Sequence, residues 1–67
     1  MKKIMVLYSI PEDVFYKTDI PGEETGVQFF DYMQDADRFK WQCTSYGGLS
    51  QVYEWNVYKH RFEFVYE

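Results

Sequence analysis

The chain carries one cysteine, Cys43, so no intrachain disulfide can staple it. It also has a single histidine, His60, which leaves too few soft ligands for a structural metal. At 67 residues, a domain buries only about 60% of the surface that its unfolded chain exposes. Its stability must therefore come from apolar packing. The sequence supplies that material mostly as rings, with seven Tyr, six Phe and two Trp. A ring buries roughly 150–250 Å² when interior, but a domain this small has no room for all fifteen. Some aromatics are expected on the surface, where clusters of rings commonly mark interfaces.

The hydrophobic pattern predicts an α+β fold in a single domain over 1–67. Lys2–Ser9 reads as a strand, ended by Pro11. Residues 11–23, punctuated by Pro11, Pro21 and Gly22, read as loop. Residues 25–36 are the best helix candidate. Thr25 is placed to cap it, and Phe29, Phe30, Met33 and Ala36 fall on one side at 100° per residue. Beyond it, Phe39, Trp41 and Cys43 alternate with Lys40, Gln42 and Thr44. After a turn at Tyr46-Gly47-Gly48, Gln51, Tyr53, Trp55 and Val57 alternate with Val52, Glu54, Asn56 and Tyr58. A second turn near Lys59-His60 leads to Phe62, Phe64 and Tyr66, opposed by Arg61, Glu63, Val65 and Glu67. Period-two alternation marks a sheet with one wet face. The expected order is β-loop-α-β-β-β, an antiparallel sheet of about four strands with the helix packed on its aromatic face.

Charge is polarised along the chain. Residues 10–37 hold eight acids against the single base Lys17, a segment charge of −7 within a net charge of −4. No basic stripe is available for DNA or RNA, and an anionic membrane surface is equally disfavoured. The apolar run Ile4–Leu7 is too short for a secretory signal or a membrane span. One unpaired cysteine suits a reducing cytoplasm.

Catalytic constellations are not expected. Cys43 and His60 fall on different predicted elements, with Cys43 a buried small hydrophobe and His60 a solvated turn residue. Asp31, Asp35 and Asp37 form the densest carboxylate cluster, but their spacing is not that of a calcium loop. Gly22, Gly26, Gly47 and Gly48 make no phosphate cradle. No cofactor or metal is implied, and the chain is expected not to be an enzyme.

The acidic segment has more content. On the predicted helix, Asp31 and Asp35 lie about 6 Å apart along the axis. Like charges at that spacing are unfavourable, and Asp35 and Asp37 fall near the negative end of the dipole. The expected site is therefore a docking face made of Glu23, Glu24, Gln28, Asp31, Tyr32, Asp35 and Asp37. Its partner would be a larger protein with a basic surface, such as a nucleic-acid-binding protein. In composition the chain resembles small acidic, aromatic-rich phage or mobile-element proteins that bind and inhibit a host protein, a likeness that transfers no residue roles. The expected function is a non-catalytic binding module, an inhibitor or modulator. Alternatives are self-assembly through an exposed strand edge, mimicry of a nucleic acid, and a small-ligand binder with an aromatic pocket.

Overall fold

The computed structural model describes residues 2–67. The elements run β1 (Ile4–Ser9), α1 (Glu12–Phe15), β2 (Thr25–Phe30), α2 (Met33–Ser45), β3 (Leu49–Asn56) and β4 (Arg61–Tyr66). The four strands form one antiparallel sheet in the order β2-β1-β3-β4. The helix α2 packs on one side of it, against β1, β3 and β2. The α+β class, the strand count and the one-sided helix match the expectation. The positions of the helix and of one strand do not.

Residues 25–30 are an edge strand, and the helix begins eight residues later than expected. Two local reasons oppose a helix at 25–36. Thr25, Val27 and Phe29 favour a pleated surface, and Gly26 costs a helix about 1 kcal/mol. Gly26 is instead needed where it lies in the sheet. A Cβ there would sit 3.1 Å from the Tyr8 hydroxyl, whose ring is buried beneath the helix. The segment 39–44, expected as a strand, is the second half of α2. Met33, Ala36, Phe39 and Cys43 recur at helical spacing and turn toward the sheet, with Ala36 and Cys43 fully buried.

The end of α2 follows the expected glycine turn. Gly47 takes a left-handed φ of 78°. Its N–H donates to Thr44 O at 2.9 Å, and the Gly48 N–H donates to Cys43 O at 2.9 Å. This pair of bonds is a Schellman motif, which satisfies carbonyls the helix leaves free. The loop 11–23 contains one helical turn, α1, started at Pro11. Its Val14 and Phe15 close the lower end of the core.

The core has two clusters. Ile4, Val6, Ala36 and Val52 form one; Tyr8, Ile10, Ile20 and Cys43 form the other. Phe39 packs against both, with its ring 5.3 Å from Tyr8 and 5.6 Å from Phe30.

The side of β3 that faces the helix is the reverse of the expected one. Val6 pairs with Val52 across β1 and β3, and both are fully buried under α2. Tyr53 and Trp55 therefore point away from the helix, as do Phe62 and Phe64, which pair with Trp55 and Tyr53. A register shift between Val52 and Tyr53 leaves Val65 unpaired and returns Tyr66 to the helix side.

Gly48 tests the helix-to-β3 connection. A Cβ there would lie 2.7 Å from Ser9 O and 3.0 Å from Cys43 O, both backbone atoms, whereas at Gly47 it would meet open space. In urea unfolding, Gly48→Ala is expected to cost about 3 kcal/mol. Gly47→Ala is expected to cost about 1 kcal/mol, the strain of a left-handed backbone alone.

Candidate functional site

The expected docking residues do not share a face. Glu23 and Glu24 precede β2, where their carbonyls accept bonds from the Tyr8 hydroxyl (3.0 Å) and the Ile10 N–H (2.8 Å). Gln28 lies on the helix side of the sheet, half-buried, with Nε2 donating to Pro21 O at 3.5 Å. Asp31 and Tyr32 occupy the exposed bend at the other end of β2. A six-residue strand separates these two groups, roughly 20 Å at about 3.3 Å per residue. Asp35 lies in the first turn of α2, at the positive end of the helix dipole, and pairs with Arg38 at 3.9 Å. Asp37 accepts a hydrogen bond from the Tyr66 hydroxyl at 2.7 Å, which ties α2 to β4. The acidic helix face of the sequence reading is thus two separate corners plus one structural carboxylate.

The structure instead presents a surface that the sequence reading placed in the core. The side of the sheet away from α2 carries no helix. Phe29, Met5, Tyr53 and Phe64 form one row across all four strands. Val27, Leu7 and Gln51 form the next, and Trp55 with Phe62 lies on the opposite side of the first. Leu7, Val27, Phe29, Leu49 and Phe64 are exposed, Leu49 by 78% and Phe64 by 55%. The rings touch: Trp55–Phe62 at 5.1 Å, Tyr53–Phe64 at 5.7 Å and Phe29–Phe62 at 6.0 Å between centroids. Phe29 and Phe62 sit on the two edge strands, about 14 Å apart in a flat sheet, so their rings lean toward each other.

None of the strand residues on this face is charged. Its polar groups are matched to one another. Ser9 Oγ and Thr25 Oγ1 are 3.1 Å apart, and the Tyr53 hydroxyl donates to Gln51 Oε1 at 3.0 Å. The charged strand residues Glu54, Arg61 and Glu63 take the helix-side positions of the β3–β4 hairpin. There Asn56 organises the turn. Its Oδ1 accepts the N–H groups of Tyr58 and Lys59 at 2.9 and 3.0 Å, and its Nδ2 donates to Glu63. That bond, with Lys59 and Arg61 nearby, holds the Glu63 carboxyl below its usual range. A shallow depression of about 560 Å³ opens between α2 and the start of β3. Lys40, Thr44, Leu49 and Gln51 line it, and Tyr8 is its one ring.

Cys43 is the buried small residue that was expected, and burial pushes its thiol up to about 11. His60 is exposed in the hairpin turn, with a left-handed φ of 52°. Among the described residues, no three Cys, His, Asp or Glu side chains converge as metal ligands. No helix among them is long and apolar enough to cross a membrane. Comparison with protein-family models, curated proteins and solved structures finds no match to this chain.

The Tyr66–Asp37 bond gives a pH signature. Burial, and then the Asp37 carboxylate, push the Tyr66 phenol up to about 12 from its usual 10. Because the folded state holds this proton more tightly, its contribution to stability is complete below about pH 10 and fades as pH rises through about 12. Phenolate absorbance, taken as the difference between wild type and Tyr66→Phe, is expected to show this late ionisation. Asp37→Asn is expected to bring it part of the way back, since burial remains.

Proposed function

We propose that the chain is a protein-binding module that works through the open aromatic face of its sheet, with no chemistry of its own. The supporting observation is the combination on that face of exposed rings, absent charge and internally matched hydroxyls. A contiguous apolar patch of this kind is a liability on a free soluble domain and an asset in an interface. The hydroxyl pairs matter because a buried hydroxyl without a partner costs about 1–3 kcal/mol. Covering this face leaves the Tyr53 hydroxyl and one hydroxyl of the Ser9–Thr25 pair with an acceptor. The lone thiol is protonated and buried, which suits packing rather than nucleophilic work. Such a module acts by holding the polypeptide surface that covers this face.

A second reading keeps the expected basic partner and rests on one corner. Asp31 and Tyr32 are adjacent and exposed, Tyr32 by 67%, at the entry to α2. An aromatic anchor beside an exposed carboxylate suits a basic surface.

Affinity capture with defined variants separates the two. On the first reading, Phe64→Glu abolishes recovery of the bound polypeptide, and Asp31→Lys leaves it within about twofold, as expected for a residue outside the contact. The opposite pattern assigns binding to the corner. Recovery unchanged by both variants would contradict both readings.

A further inference from the structure

The face has a property that selects its occupant. When two copies of one chain meet about a twofold axis, the same patch lies on both sides of the contact. A chain with a net charge of −4 then brings like charges together unless the patch carries none. The open face is such a patch, since all of its strand positions are uncharged. At its border, just beyond the strands, Lys3 lies opposite Trp55 and Asp31 follows Phe29 by two residues, one charge of each sign. A strongly basic partner would find no carboxylate among its strand positions to pair with.

Area points the same way. The exposed Leu7, Val27, Phe29, Leu49 and Phe64, with the half-buried rings between them, leave on the order of 600 Å² per copy. Mating two copies would cover on the order of 1,200 Å², the lower end of specific interfaces. Two twisted sheets pack face to face about 10 Å apart with side chains interdigitating. The Phe29–Met5–Tyr53–Phe64 row supplies side chains of the length that such packing needs.

We infer that the open aromatic face is covered by a second copy of this chain, as a reversible face-to-face homodimer. This rests on the reading of that face as the binding surface and names its occupant. Because the area is small, the dimer is of modest affinity, with a Kd on the order of micromolar.

Sedimentation velocity on the full chain from about 1 to about 200 µM, spanning the affinity class expected for this area, tests it. Wild type is expected to shift reversibly from monomer to dimer. Phe64→Glu is expected to raise the Kd by about 30-fold or more, as at an interface hot spot. Leu49→Lys, at the most exposed position of the face, is expected to weaken the dimer too. Both side chains lie outside the core clusters, and circular dichroism checks that the variants remain folded. Trp41→Ala, on an exposed part of α2, is expected to leave the Kd unchanged. A wild-type chain that stays monomeric throughout overturns the homodimer, as does a dimer indifferent to both face variants. If the wild type is monomeric and Phe64→Glu still abolishes capture of another polypeptide, the homodimer falls and the binding face stands. If neither association nor capture depends on the face, both fall.

Discussion

The contact on which the structure depends is the seat of α2 on the two central strands. Ala36 from the helix meets Val6 and Val52, and Cys43 meets Tyr8, Ile10 and Ile20; Val6, Val52, Ala36 and Cys43 are fully buried. These are small or β-branched side chains, so the helix backbone can approach the sheet closely. Phe39 fills the space between the two core clusters and joins them. Volume then decides the rest. Beneath a helix of 13 residues, Tyr8, Phe30 and Phe39 already fill the space around this contact, which leaves little room for further rings. Tyr53, Trp55, Phe62 and Phe64 take the other side of the sheet, and the chain acquires an aromatic surface as a consequence of how its core is built.

Much of this was legible in the sequence. β1 lies where its apolar run placed it, and the β3–β4 hairpin and the glycine turn after residue 45 lie where alternation and Gly47 placed them. The helix was displaced for an identifiable reason. Phe29, Phe30, Met33 and Ala36 do recur at helical spacing, but the pattern straddles the end of β2 and the start of α2. The competing strand signal in Thr25–Phe29 was short, and over six residues the two periodicities overlap. The electrostatics carried the better clue. A helix at 25–36 places Asp35 and Asp37 near its negative end, whereas a helix at 33–45 places Asp35 in the first turn with Arg38 three residues on. The apparent frustration of the acids came from the wrong boundaries.

The open face was hidden for a different reason. On β3 both sides of the alternation contain apolar residues: Val52 on one, Tyr53 and Trp55 on the other. Hydrophobicity alone favours burying the rings. Only the partner helix, which offers Ala36 at the contact, selects Val52 for the inside. The cue was therefore in the size of residues on another element, and it can be used only once that element has been placed. The same choice disperses the expected acidic site, because β2 separates Glu23 and Glu24 from Asp31 and Asp35. The proposed binding surface moves from charge on a helix to uncharged rings on a sheet.

Everything proposed about binding requires that β3 present Val52 to the helix and Trp55 away from it. Proton–proton nuclear Overhauser contacts in the folded chain measure this directly. The account predicts contacts from the Val52 methyls to Ala36, and from the Trp55 indole to Phe62, with none from Trp55 to any proton of α2 in the same chain. Contacts from the Trp55 indole to Ala36 or Phe39, with the Val52 methyls open to solvent, would contradict it.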